Sequence, residues 1–388
     1  MRLLEHTAKA IFRNQGFCVP KSLLILDEKD FAAAAEEIGF PMVLKIQTLT
    51  GGRGKRGGIL VASNEQEAIN WLTNQLGREF NGQQIESVLC EEWIPFTDEY
   101  YVSFALDTIQ REVTLIFSTA GGVDIEENAD EQNLFKTIVR KDRGLEAEAL
   151  TYIFSEAKLQ EERWPKMMAV LNQLYDVFLS YDCMLLEINP LVWTETNEPS
   201  ILDIHFYMDD NAILYHDVAK ETVLAMKDLY KQSWLKINYG FDLVELNPQG
   251  TVALLSTGAG LSMAIVDELK SRNIEPINFA DVRSGQLKGD PTRLIVMLKQ
   301  FSQYENLDYI FVSIFAGITD LAEFAELLLI AKDQVKFDKE VKWIIRLEGN
   351  NFDKAKQLIQ QKGLFITNSL EESLTHLTGG ECSFERIH

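Results

Sequence analysis

The stretch from Thr251 to Thr367 sets the strongest limit on what this chain can fold into. Short apolar runs recur through it, TVALLS, NFADV, YIFVSIFAG, VKWIIRL and LFIT, and most are followed by a segment of helical periodicity. Continuous apolar runs of this length suit strands buried on both faces, and strand–helix repetition is the pattern of βαβ units on a parallel sheet. The second part of the chain is expected to be an α/β domain of that kind.

Ahead of it the rhythm is different. FAAAAEEIG and EQEAINWLTNQLG read as helices, PMVLKIQ and SVLCEEWI as strands, and EYYVSFALD alternates strongly enough to be a strand. MRLLEHTAKAIFRNQG reads as an amphipathic helix, with polar residues where a signal peptide would be apolar. The change of rhythm places a boundary between Asn238 and Gly250, giving expected domains 1–240 and 245–388. A chain of 388 residues, 46% of them hydrophobic, is long enough to bury two such cores.

No run approaches the roughly 20 apolar residues of a membrane span, so a cytoplasmic protein without membrane contact is expected. Cys18, Cys90, Cys183 and Cys382 lie far apart, without zinc or redox spacing, and read as buried thiols in a reducing compartment. The acidic stretch DIEENADEQN reads as a solvated loop. A net charge of -22 argues against general nucleic-acid binding. Any phosphate bound here must be met locally.

KIQTLTGGRGKRGGIL, Lys45 to Leu60, is one place where it could be. Five glycines and four basic residues occupy sixteen positions. Backbone N–H groups of such a loop can cradle an anion, with Lys45, Arg53 and Lys55 adding charge. An exposed hairpin with solvated basic residues has the same composition, and both readings stay open.

LLEINPLVWTETNEPSILDIHF carries a second constellation. Two alternating stretches flank TETNEP, which predicts an antiparallel hairpin centred near Thr196. That register sets Asn189 opposite Asp203 and Glu187 opposite His205, all on one face. An amide oxygen beside carboxylates is a half-shell for Mg²⁺; polar positions on a wet sheet face would look the same. In the second part, TGAG and the segment after SIFAG are small-residue turns between strand and helix, where helix N-termini favour anions. None of the five histidines lies in a glycine-rich turn, and no G-x-S-x-G occurs, so a covalent step is not expected to start from this chain.

Taken together, VLKIQTLTGGRGKRGGI, STAGGVDIEE, LLEINPLV, the LD of SILDIHF with DDNA, TGAGLSM, SIFAGI and IIRLEGNN resemble, in order and over nearly the whole chain, the β subunit of succinyl-CoA synthetase. The resemblance implies an N-terminal ATP-grasp fold followed by a C-terminal flavodoxin-like CoA-ligase domain. It implies nucleotide contacts at Lys45, Gly52, Arg53, Gly54, Glu91 and Glu99, and Mg²⁺ ligands at Asn189 and Asp203. Glu187 would meet a phosphohistidine, and Thr257, Gly317, Ile318 and Thr319 would line the carboxylic-acid site. It also implies ATP/ADP or GTP/GDP and CoA as reactants. An α-type partner would supply the histidine and most CoA contacts. The family's relay passes phosphate reversibly between nucleotide, that histidine and an acyl phosphate.

Departures from the family pattern gather at the acid end: Thr257 for Asn, DVRSGQ for DVGGGA, SIFAGI for NIFGGI, and His205 for Lys. NFADVRSG and IFAGITDLAEFAELL resemble the matching segments of ATP-citrate lyase and citryl-CoA synthetase. A citrate-type ligase, with Arg283 meeting an extra carboxylate, and a non-catalytic nucleotide-binding subunit are therefore the alternatives.

Overall fold

A computed structural model describes residues 1–121 and 134–378. The acidic stretch 124–133, most of STAGGVDIEE, Cys382 and His388 lie outside the described residues. Two compact units follow one another, Met1–Thr222 and Val223–His388.

The first unit holds two antiparallel sheets and a short hairpin. Strands β1 (Ser22–Ile25), β2 (Met42–Ile46) and β3 (Ile59–Ala62) precede the hairpin β4 (Glu79–Phe80) and β5 (Gln83–Gln84), and β6 (Val88–Glu92) follows it. The order is β1-β6-β2-β3. On β2 the period of two decides everything: Met42, Leu44 and Ile46 pack against Phe31 and Ala34 of one helix and Ala68 and Leu72 of another. Val43 and Lys45 therefore point the other way.

The second sheet contains β7 (Phe96–Asp107), β8 (Glu112–Ser118), β9 (Leu134–Val139), β10 (Cys183–Thr194), β11 (Pro199–Ile201) and β12 (Ile204–Met208). The order is β11-β10-β7-β8-β9, with β12 also pairing β10. Aromatic rings fill its helix-covered side. Phe104 lies 5.8 Å from Tyr175 and 6.2 Å from Phe178 of helix Trp164–Ser180, and Phe117 lies 5.7 Å from Phe154. Pairs like these add about 0.5–1.5 kcal/mol beyond their buried area.

The N-terminal helix, Glu5–Asn14, is tied to this sheet where Leu3 N donates to Phe206 O and Phe12 meets Phe206 edge-on. Ala8, Ile11 and Phe12 are buried on its inner stripe, as amphipathic spacing predicts. Glu5 and Lys9 are buried with them.

In the second unit, β13 (Asp242–Glu245) joins β14 (Val252–Ser256), β15 (Pro276–Asp281), β16 (Tyr309–Ala316), β17 (Lys342–Gly349) and β18 (Phe365–Thr367) in the order β13-β15-β14-β16-β17-β18. The last five are mutually parallel and β13 is antiparallel to β15. Ile265, Leu269, Leu374 and Leu377 from two helices cover one face, and Leu294, Leu298, Phe324, Leu328 and Ile359 from three others cover the opposite face. This is the doubly wound arrangement expected from the apolar runs, and β14 is buried along its whole length.

The units divide at Thr222, ahead of the Asn238–Gly250 stretch where the change of rhythm placed the boundary. The reason is packing. Leu235 of helix Lys231–Tyr239 enters the same core as Phe241 and Leu243, so that helix belongs with the sheet that follows it. Cys90 and Cys183 are buried as expected, but Cys18 is exposed, beyond the turn that ends the N-terminal helix.

Candidate functional site

A cleft of about 480 Å³ in the first unit gathers most of the residues singled out above. Its floor is the helix-free face of the first sheet. Lys45 pairs with Ile59, and Val43 with both Val61 and Glu91, so register sets two charged groups among three aliphatic ones. Pro20, Trp93, Ile94 and Phe96 complete an apolar wall, and Asn189, Pro190, Leu202, Asp203 and His205 close the cleft from the hairpin.

The glycine-rich segment folds back over the end of β2. Gly58 N donates to Arg53 O at 2.8 Å, and Ile46 N to Gly58 O at 3.0 Å. A Cβ at Gly58 would stand 2.8 Å from Ile46 Cδ1 and would force that side chain to shift, while Gly52 needs its φ of +75°. Gly52, Arg53, Gly54 and Lys55 then line the cleft. The segment is ordered against the strand, with Arg53 only 6% exposed.

The hairpin has the register predicted from its turn. Glu187 pairs with His205 and Ile188 with Ile204, and Asn189 N donates to Asp203 O at 3.2 Å. Arg53 Nη2 donates to both Asp203 oxygens, at 2.8 and 2.9 Å, and its Nη1 lies 2.7 Å from Glu5 Oε2. Burial pushes the Asp203 carboxyl up, but Arg53, Lys45 and His205 together outweigh it and hold Asp203 below the ordinary aspartate value. Burial likewise lowers His205, yet its contact with Glu187 and the charge of Asp203 leave it raised overall. His205 Nδ1 and Glu187 Oε1 are 2.8 Å apart, and Tyr101 OH donates to Glu187 Oε2 at 3.1 Å. Glu187 is thereby oriented beside the cleft.

Lys45 Nζ lies 2.9 Å from Glu5 Oε1, 2.8 Å from Glu91 Oε2 and 2.6 Å from Leu202 O. Burial works against its charge, but these carboxylates raise the ammonium well above the ordinary lysine value. The same carboxylate environment, with Lys45, Lys9 and Arg53 around it, holds Glu5 well below the ordinary glutamate value against its own burial.

Glu5 and Lys9 escaped the reading of the sequence. The signal was there: a Glu–Lys pair at i,i+4 on the stripe that also carries Ala8, Ile11 and Phe12 is a charge pair on an apolar face. The apolar wall of Val43, Ile59, Val61, Trp93, Ile94 and Phe96 was also missed, because it comes from three separated stretches. Glu99 is half-buried on β7, opposite Val192, and is not among the residues lining the cleft.

Two residues with side-chain oxygens, Asn189 and Asp203, line the cleft side by side, joined through Asn189 N and Asp203 O. Among the described residues no cluster of three or more His, Cys, Asp or Glu is arranged to hold a metal ion. A hard cation here would take its remaining ligands from water and phosphate, which is the habit of Mg²⁺ at nucleotide sites. Asp203, held as a carboxylate, suits that role. The donor set fits the ion.

The residues expected to line an acid site in the second unit are less gathered. Ser284 Oγ and Thr319 Oγ1 are 2.8 Å apart in the wall of a cavity of about 240 Å³, which Lys288 and Ile318 also line. Ile318 is 98% exposed, and Gly317 is exposed beside it. Thr257 lies outside that cavity, and its Oγ1 is buried without a hydrogen-bond partner. Arg283, considered for an extra substrate carboxylate, is instead engaged by Asp242 at 2.6 Å, with Lys236 on the other Asp242 oxygen at 2.8 Å.

Residues 2–193 match the ATP-grasp domain family and residues 255–377 the CoA-ligase family. The chain is 32% identical to the succinate–CoA ligase [ADP-forming] subunit beta of Methanocaldococcus jannaschii over 375 residues, covering 96% of this chain and 98% of that one. It is 32% identical to the same subunit of Exiguobacterium sibiricum over 378 residues, covering 95% and 96%. The solved ATP citrate lyase from Methanothrix soehngenii, in complex with citrate and coenzyme A, has the same fold at a TM-score of 0.72 and 19% identity, covering 94% of this chain and 95% of that one. With an ATP-grasp domain followed by a CoA-ligase domain and near full-length relatives above 30% identity, the chain belongs to the family of succinate–CoA ligase β subunits.

Proposed function

We propose that this chain is the nucleotide-handling β-type subunit of an ADP- or GDP-forming carboxylic acid–CoA ligase, with succinate as its acid. The observation that carries the reading is the meeting of Asn189, Asp203, Lys45 and Arg53 in one cleft beneath the folded glycine segment. An α-type partner supplies the phosphohistidine and most of the CoA contacts, and the assembly works in the cytoplasm.

In this reading the apolar wall receives the base, while Lys45, Arg53 and the amides around Gly52 and Gly54 meet the phosphates. Asn189 and Asp203 hold Mg²⁺, which when bound supplies charge neutralisation at the phosphoryl group. The protein's own share is positioning and electrostatics rather than covalent chemistry. Arg53, bonded to Asp203 and lining the cleft, would exchange that bond for one to a phosphate. Glu187, held by His205 and Tyr101, is a ready acceptor for an imidazole N–H of the partner's histidine. Thr257, Gly317, Ile318 and Thr319 take the carboxylic acid at the carboxyl edge of the second sheet.

The test is to purify the chain from its source with whatever partner accompanies it, and to assay CoA-dependent release of ADP or GDP. Succinate, other dicarboxylates and citrate are compared. Release dependent on succinate and on a copurifying CoA-binding chain supports the proposal. Release driven by citrate alone would transfer the chain to the citrate-type ligases.

A further inference from the structure

Lys9 is a buried cation for which the reading above has no use. Its side chain has no exposed surface, and its ammonium lies against Glu91, 2.8 Å from Glu5 Oε1 and 2.7 Å from Leu202 O. Lys45 is bonded to the same two carboxylates and the same carbonyl. An ammonium has three donors and no acceptor. Each lysine is therefore fully engaged, and engaged with the other's partners.

The two differ in one respect: Lys45 lines the cleft and Lys9 does not. For Lys45 to bond a phosphate oxygen it must release one of its three acceptors. Were it the sole counter-ion, the released carboxylate would be left buried and uncompensated, which opposes the exchange. Glu5 is the acceptor that can be released, because Lys9 and Arg53 also hold it. Lys9, Lys45 and Arg53 face Glu5, Glu91 and Asp203, so the cluster is neutral before any ligand arrives.

We propose that Lys9 is a positioning residue that acts through Lys45: by keeping Glu5 and Glu91 paired, it lets Lys45 trade a carboxylate for a nucleotide phosphate. This rests on the reading of the cleft as a nucleotide site. Without Lys9 the cluster carries one excess negative charge, Lys45 is retained by the carboxylates, and an incoming phosphate is repelled. Removing Glu5 as well restores neutrality and frees one donor of Lys45.

The experiment is calorimetric titration of the purified full chain with Mg-ADP and Mg-GDP, alongside thermal melting, for the natural protein and for Lys9→Met, Glu5→Gln and the double variant. Lys9→Met is expected to weaken binding about ten-fold, the scale of one lost charged hydrogen bond. The double variant is expected to return to within about three-fold of the natural protein. A role in packing alone would make the two losses add. Binding by the natural chain with Lys9→Met unchanged, or a double variant as weak as Lys9→Met, overturns this inference and leaves the nucleotide reading standing. If Lys9→Met cannot be purified folded, the double variant decides alone, and an about ten-fold loss in it overturns the proposal. A natural chain that takes up neither nucleotide overturns both.

Discussion

The cleft of the first unit and the carboxyl edge of the second unit's sheet are both places where backbone turns and polar side chains converge, yet they are built differently. In the cleft the buried cations have their counter-ions in place: Arg53 with Asp203 and Glu5, and Lys45 with Glu5 and Glu91. At the sheet edge Thr257 Oγ1 has no partner, Ile318 stands almost fully in solvent, and Arg283 is taken by Asp242. The lesson is that the first site is held ready within its own unit. The second leaves polar and apolar groups unmatched until something else supplies their partners. Three of the four departures from the resembled pattern, Thr257, DVRSGQ and SIFAGI, lie in the second unit, and the fourth, His205, lines the cleft.

The largest effect that would break this contrast comes from the cleft. Asp203→Ala removes the carboxylate beside Asn189 and frees Arg53 from its bidentate partner, and Mg-ADP affinity is expected to fall about 100-fold, or about 3 kcal/mol. Calorimetry reads this directly, and unchanged affinity would show that the hairpin does not meet the metal. Next comes the apolar wall: Trp93→Ala is expected to cost about ten-fold in nucleotide affinity, with Mg²⁺ dependence intact, since only the contact with the base is lost.

The sheet edge should respond differently. Thr257→Val deletes a hydroxyl that has no internal partner, so the melting temperature is expected to hold or rise slightly, within about 0.5 kcal/mol. The KM for the acid is expected to rise about five-fold if a ligand supplies the missing partner. A drop in stability would mean that the hydroxyl is already satisfied and that the contrast is overdrawn. The smallest effect is at Asp242, whose burial is outweighed by its bonds to Lys236 and Arg283, leaving its carboxyl below the ordinary aspartate value. A depressed carboxyl contributes stability above the unfolded value, near pH 4, and loses it as pH falls through the folded value. Asp242→Asn should cost about 0.5–1 kcal/mol at neutral pH, as partly exposed pairs do, and almost nothing in acid. Melting curves across that range check it.

Much of the fold was legible because it rests on local periodicity. The apolar runs from TVALLS to LFIT became β14 to β18, and the turn TETNEP fixed the pairing of Glu187 with His205. What escaped depends on contacts distant in sequence. Lys9 meets Glu91 and Leu202 only after the N-terminal helix docks beside both sheets. Trp93 and Phe96 become a wall only when set beside Val43 and Ile59. The units divide at Thr222, ahead of the expected Asn238–Gly250 boundary, because helix Lys231–Tyr239 goes with the core that Leu235 enters, which its own spacing does not reveal.

The central claim is that Asn189 and Asp203 bring a magnesium-bound nucleotide to Lys45 and Arg53. Titration of the natural chain with ADP, once in magnesium and once in EDTA, tests it most directly. Affinity should be at least about ten-fold higher with magnesium, and that difference should vanish in Asp203→Asn. Equal affinity in the two buffers, or a magnesium effect that survives the substitution, would contradict the account.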